Sequence, residues 1–163
     1  MLIDLREIID VPGGRVPFDY EPDMTEAAFG PVIDIKRPAR AVGSVENCAG
    51  VLKFSARVDA VCVCVCARCL AEFEQNMQRQ VSAYLNEEGE IGGNQDAYFL
   101  NGDSIDADEI IVTEFVLDLD QRLLCREDCA GLCPGCGADL NEGPCACKAE
   151  IDPRLAALGQ LLE

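Results

Sequence analysis

The chain has 163 residues, 49% of them apolar and 6% aromatic, enough to bury one ordinary core or a core with a small appendage. No stretch approaches the roughly 20 apolar residues needed to cross a bilayer, so membrane insertion is not expected. A formal net charge of −17, from 30 acidic and 13 basic residues, argues against a broad electrostatic grip on nucleic acid, because such binding requires Lys and Arg to meet phosphates.

Taken in chain order, apolar residues at Leu2, Ile3, Leu5, Ile8 and Ile9 form a short helix-compatible pattern that Pro12-Gly13-Gly14 must end. Arg15 to Tyr20 follows as a strand. Val32 to Ile35, Ala39 to Val45 and Val51 to Val65 alternate as strands do, punctuated by Gly30-Pro31, Gly43 and Gly50, and together predict an antiparallel meander. Phe73, Met77, Val81 and Leu85 recur every fourth residue, so helix and strand compete there; a strand that continues the meander is assigned. Glu87 to Gln95 is acidic and Gly/Asn-rich, as a loop would be, and a short apolar stretch follows at Tyr98-Phe99-Leu100. Ser104 or Asp106 can cap a helix running to about Leu119, with Asp108 and Glu109 suiting its N-terminal dipole and Ile111, Phe115 and Leu119 on one face. Asp152 as cap and Pro153 as first residue predict a terminal helix through Leu155, Leu158 and Leu162. The expected class is α+β, an antiparallel β-meander or barrel-like sheet with a few helices and a zinc-knuckle-like C-terminal appendage. Its expected divisions are a β-rich body at 1–120, a cysteine-rich metal-binding segment at 121–150 and a C-terminal helix at 151–163.

Charge is unevenly distributed. Between Lys36 and Arg79 lie seven basic and four acidic residues, whereas Gln80 to Gln121 holds eleven acids and no Lys or Arg. The acidic stretch suits a basic partner, or else is a solvated face that maintains solubility. Lys36, Arg37, Arg40 and Arg68 are the candidate phosphate or partner contacts, against the alternative that they are ordinary solvated charges. With no Trp and three Tyr, base stacking on exposed aromatics is not expected.

The densest chemistry lies at Cys125, Cys129, Cys133, Cys136, Cys145 and Cys147, six cysteines within 23 residues. A closed tetrahedral zinc site needs four converging thiolates, and the two-residue spacer Pro134-Gly135 lets Cys133 and Cys136 face one ion. Gly135 and Gly137 can take the positive φ that turns backbone amides toward the sulfurs. Either Cys125 with Cys129 or Cys145 with Cys147 can complete the set, and all six can also hold a shared two-metal cluster. The zinc is expected to be structural, since the chain contains no His and catalytic zinc usually uses one.

Further upstream, Cys62, Cys64 and Cys66 alternate on one strand face, with Cys69 just beyond. Cys62 and Cys64 read as small buried hydrophobes. Cys66 and Cys69 form a second possible thiol pair, either joining two other thiolates on a metal or switching redox state. Cys48 is isolated and reads as structural. Eleven cysteines and an unremarkable start, Met1-Leu-Ile-Asp-Leu-Arg-Glu, fit a reducing compartment better than a secreted disulfide framework. Hydrolase and transferase readings lack their residues: His, a Gly-x-Ser-x-Gly turn and a phosphate loop ending in Lys are all missing.

Three motifs together resemble the bacterial YceD family: Pro12-Gly13-Gly14 followed by Phe18; Cys66-x-Arg68-Cys69-Leu70 with Phe73; and Cys125-x-x-Asp128-Cys129-x-Gly131-Leu132-Cys133-Pro134-x-Cys136-Gly137, continued through Leu140, Asn141, Gly143, Cys145 and Cys147. The ending Ile151-Asp152-Pro153-Arg154-Leu155 is similar as well. The resemblance implies a cytoplasmic, non-enzymatic factor for the accumulation of large-subunit ribosomal RNA, acting in processing, stability or assembly. Its expected partner is ribosomal RNA or a basic ribosomal or assembly protein, with no small-molecule substrate. Cys62 and Cys64 depart from the family pattern. The rival expectation is a thiol-based redox or metal-sensing regulator.

Overall fold

The computed structural model describes residues 1–86 and 97–147, apart from the Arg37 side chain. The acidic loop expected at Glu87 to Gln95 and the terminal helix expected from Asp152 lie outside those residues.

The scaffold is a five-stranded sheet in the order β2-β3-β4-β5-β6, formed by β2 (Arg15–Tyr20), β3 (Val32–Cys48), β4 (Val51–Val65), β5 (Glu72–Asn86) and β6 (Tyr98–Phe99). From β2 to β5 every pairing is antiparallel, as the alternating sequence predicts, whereas β6 joins β5 in parallel. The assignment of Phe73 to Leu85 to a strand holds: the fourfold recurrence arises because Met77, Val81 and Leu85 are every second residue on the buried face of an alternating strand. Among the described residues the sheet is open, and the expected barrel-like closure is not formed. Its outer strands have six and two residues against 15 to 17 in the centre, too little ladder to join the edges.

The expected N-terminal helix is also absent. Leu2–Asp4 forms β1 and pairs with β7 (Ser104–Asp106) in a separate two-stranded sheet, and the chain then turns so that Leu5 and Ile8 enter the core. A pattern of eight residues is too short to nucleate a helix alone, and β7 offers it a ladder instead. In place of the few helices expected, the described residues contain one α-helix, α1 (Ala107–Leu117), and a short 3-10 turn at Thr25–Ala27. Asp106 caps α1 by accepting from the Asp108 backbone N–H, one of the two caps expected. The last turn of α1 lacks a basic residue, but Arg79 of β5 reaches Asp118 there at 2.9 Å and supplies a cation to that end.

One core joins the sheet to α1. Phe54, Val58, Cys62 and Cys64 of β4 are fully buried with Ile110, Ile111 and Phe115 of α1, and the rings of Phe18 and Phe54 stack at 5.1 Å. Cys62 and Cys64 are thus the buried hydrophobes expected, and burial pushes the Cys62 thiol up to about 11. Cys48 is exposed at the β3–β4 turn.

Gly43, on β3 between Phe18 and Ala56, has no room for a side chain, since an added Cβ would lie 2.1 Å from the Ser55 carbonyl oxygen and 2.8 Å from Phe18 Cζ. Gly43→Ala should therefore lower unfolding stability by about 2–3 kcal/mol, read as a shift of the urea midpoint with an unchanged slope. An unchanged midpoint would contradict this packing.

Candidate metal centres

Eight of the eleven cysteines fall into two separate groups of four. The first gathers Cys66 and Cys69, in the turn between β4 and β5, with Cys125 and Cys129 of the downstream segment. The second gathers Cys133, Cys136, Cys145 and Cys147. Within each group all four sulfurs lie within 4.8 Å of one another. Both pairs considered as partners for Cys133 and Cys136 are thereby placed: Cys145 and Cys147 lie beside them, while Cys125 and Cys129 face the upstream knuckle.

A tetrahedral ion with metal–sulfur bonds of about 2.3 Å spaces its sulfurs by roughly 3.8 Å. In the first group Cys66 and Cys129 are 3.8 Å apart and Cys69 and Cys125 are 3.7 Å apart. In the second, Cys133 and Cys145 approach to 3.3 Å. Two sets of four thiols at such spacing can each hold a metal ion, and an all-sulfur donor set suits zinc or another thiophilic metal over Mg2+ or Ca2+.

The two groups are built on the same turn. In Cys66-Ala67-Arg68-Cys69-Leu70 the Leu70 N–H donates to the Cys66 carbonyl at 3.0 Å, and the Cys66 N–H donates to Ala71 at 2.9 Å. In Cys133-Pro134-Gly135-Cys136-Gly137 the Gly137 N–H donates to the Cys133 carbonyl at 2.8 Å, and the Cys133 N–H donates to Ala138 at 2.8 Å. The fifth residue is left-handed in both, with φ +60 at Leu70 and +74 at Gly137. The positive φ anticipated for Gly135 is absent; that residue contributes its amide, and an added Cβ would make only ordinary contact with the Cys147 sulfur, at 3.6 Å.

This turn aims backbone N–H groups at its first sulfur. Burial pushes the Cys66 thiol up, but N–H groups of Cys125, Cys69 and Arg68 outweigh that and hold it at about 6. The N–H groups of Cys136 and Gly135 do the same for Cys133, also at about 6. Their neighbours move the other way: burial and the adjoining thiols push Cys125 up to about 12, and the thiols of Cys136 and Cys133 push Cys147 up to about 11. Cys66 and Cys133 are thus the readily formed thiolates of their tetrads, and a metal would have to displace protons from Cys125 and Cys147.

Burial separates the two groups. Cys66, Cys69 and Cys129 are buried and Cys125 is half-buried; Phe73, Leu124 and Leu132 pack around them. Phe73 also touches the main core, joining the first tetrad to the sheet. In the second group Cys136 and Cys147 are exposed.

Three residues bind the groups to each other. The Arg68 guanidinium donates to the Cys129 carbonyl at 2.8 Å, while the Arg68 carbonyl accepts from Leu132 N–H at 3.0 Å. This close passage needs Gly131, whose φ is +76 and where a Cβ would meet the Arg68 carbonyl oxygen at 3.0 Å. Asn141, from the loop of the second group, accepts from Ala130 N–H and Arg126 and points its amide at the Cys129 sulfur, 3.6 Å away. Asn141 belongs to the C-terminal motif, but its bracing role depends on a contact between loops that spacing does not reveal. Leu70 stands in the upstream motif, and its place after a Cys-x-x-Cys matches that of Gly137; its left-handed backbone is not visible from a Leu at that position.

The other candidate contacts lie on the sheet. Lys36 is ion-paired with Glu74, and Arg40 forms a two-pronged pair with Asp19 at 2.6 and 2.9 Å. Arg68 braces the first tetrad, and the Arg37 side chain lies outside the described residues.

A left-handed conformation costs a non-glycine residue about 1–2 kcal/mol. Leu70→Gly should therefore raise the stability of the metal-loaded protein by up to about 1 kcal/mol once the added freedom of the unfolded chain is counted, whereas Gly137→Ala should lower it by about 1 kcal/mol. Thermal unfolding of the two variants beside the parent checks both signs.

The family model described as large ribosomal RNA subunit accumulation protein YceD matches residues 54–162, a stretch that contains both tetrads. Uncharacterized proteins of Mycobacterium tuberculosis and Mycobacterium bovis are each 33% identical over 128 residues, covering 72% of this chain and 59% of theirs. An uncharacterized protein of Mycobacterium leprae is 29% identical over 136 residues, covering 80% of this chain and 62% of its own. The chain thus spans about three-fifths of the length of these relatives. No solved structure matches it. With matching motifs in the β4–β5 turn and in the cysteine-rich segment, the chain belongs to the YceD family of large ribosomal RNA subunit accumulation proteins.

Proposed function

We propose that this chain is a non-enzymatic accessory factor for the accumulation of large-subunit ribosomal RNA, in which two structural zinc ions fasten the cysteine-rich segment to the sheet. The observation that carries the reading is the family match over residues 54–162, which includes every cysteine of the two tetrads. Zinc is favoured because both donor sets consist of four sulfurs with no protein oxygen or nitrogen among them, the composition of closed structural sites.

The partner that fits best is a basic ribosomal or assembly protein. Lys36 and Arg40 are already neutralised by Glu74 and Asp19, which disfavours phosphate contact there. Around α1, Asp23, Glu26, Asp106, Asp108 and Glu109 line one groove; the Met1 ammonium pairs with both Asp106 and Asp108, and acids still outnumber bases along that lining, which suits Lys- and Arg-rich segments. No helix among the described residues is long and apolar enough to cross a membrane.

Two measurements test the reading. Protein purified without added metal should contain two zinc per chain, one for each tetrad. Cells lacking the gene should show a lowered ratio of large-subunit to small-subunit ribosomal RNA, restored by the parent chain and not by Cys66→Ser/Cys69→Ser. An unaltered ratio in the deletion strain would refute the ribosomal role, and metal-free protein would refute the zinc role.

A further inference from the structure

We infer that the two tetrads divide their work: Cys66, Cys69, Cys125 and Cys129 hold a permanent zinc clamp, while Cys133, Cys136, Cys145 and Cys147 form an exchangeable zinc site open to thiolate or chelating ligands from solvent. This rests on the structural-zinc reading and extends it. Two independent features of the structure carry it, exposure and the origin of the ligands.

Exposure differs sharply between the groups. In the first tetrad Cys66 is 0% and Cys129 1% exposed, beneath Phe73, Leu124 and Leu132. Cys69 is 8% exposed and Cys125 half-buried, so an incoming ligand meets the tetrad only along its Cys125 side and needs local opening to displace the other three sulfurs. In the second, Cys133 is buried and Cys145 half-buried, but Cys136 and Cys147 are exposed residues.

Origin differs as well. The first tetrad draws on segments separated by 56 and 63 residues, held together by the sheet, by Arg68 and by Phe73. The second takes all four ligands from 133–147, a loop with its own internal bonds from Gly137 to Cys133 and from Glu142 to Asp139. Opening the second leaves the first with its four sulfurs and its brace. What opening disturbs is the set of contacts from the loop back to the first group's segment: Asn141 with Ala130, Arg126 and the Cys129 sulfur, and the Leu140 N–H with the Gly131 carbonyl.

Exchange is a ligand substitution. An incoming thiolate or chelator donates an electron pair to zinc as the Cys136 or Cys147 thiolate leaves, and the departing sulfur takes a proton from water; no electron is transferred. Repeated at the remaining sulfurs, the substitution moves the zinc to the acceptor while the segment stays clamped to the sheet.

The test follows the two-zinc protein against excess isotopically heavy zinc by native mass spectrometry, with a chromophoric chelator in parallel. One equivalent should exchange faster than the other by roughly ten-fold or more, since only the slow one needs local unfolding. Cys136→Ser/Cys147→Ser should remove the fast phase and keep the slow one. As that variant can lose its fold, timed iodoacetamide labelling of the parent chain gives an independent readout: Cys136 and Cys147 should be modified well before Cys125 and Cys129. Equal exchange rates, or simultaneous labelling of the two groups, would overturn the division of work while leaving two structural zincs in place. A protein that holds no zinc would fail the underlying reading instead.

Discussion

The convergence of four sulfurs from the β4–β5 turn and from Cys125 and Cys129 is the constraint on which the rest of the C-terminal region hangs. Among described residues after Gln121, the buried apolar side chains are Leu123, Cys129 and Cys133, far too few to hold an independent core. Secondary structure adds little there, the isolated bridge from Leu132 to Asp139 being the one ladder contact recorded. Zinc bound by four thiolates is worth about 10–16 kcal/mol in small zinc domains, enough to order such a segment where hydrophobic burial is not. The rigid end of the sheet supplies half of the ligands, so the metal-binding energy positions the segment as well as ordering it.

The sheet was legible because its strands alternate cleanly: every second residue of β4 from Leu52 to Cys64 is buried. Helix α1 was legible from its cap at Asp106 and its acidic first turn. What escaped was non-local. Leu2–Asp4 carries a helical pattern and becomes a strand because Ser104–Asp106, a hundred residues on, offers a partner. The same limit applied to the cysteines. Spacing identifies Cys133 with Cys136 and Cys66 with Cys69 as knuckles, since each pair is local, but the choice between Cys125–Cys129 and Cys145–Cys147 depends on which knuckle the fold brings near. The supporting roles of Arg68 and Asn141 arise only after that choice is made.

Electrostatically, the centres push the molecule further in the direction its composition already takes. A divalent ion surrounded by four thiolates carries two net negative charges, so each filled tetrad adds to the chain's −17. Basic side chains on the sheet are drawn into pairs with neighbouring acids, as Arg15 with Glu46 and Arg57 with Asp59. Long-range attraction toward cationic protein segments, and repulsion from bare phosphate backbones, follow from that balance.

The 56 and 63 residues that separate the halves of the first tetrad also impose an order on the birth of the protein. A ribosome adding about 5–20 residues per second needs roughly 3–12 seconds to span that gap. Throughout that interval the nascent β-hairpin carries an incomplete knuckle, two sulfurs where four are needed. The knuckle at Cys66 and Cys69 must therefore survive that interval of translation as an open half-site, its final geometry completed when Cys125 and Cys129 emerge.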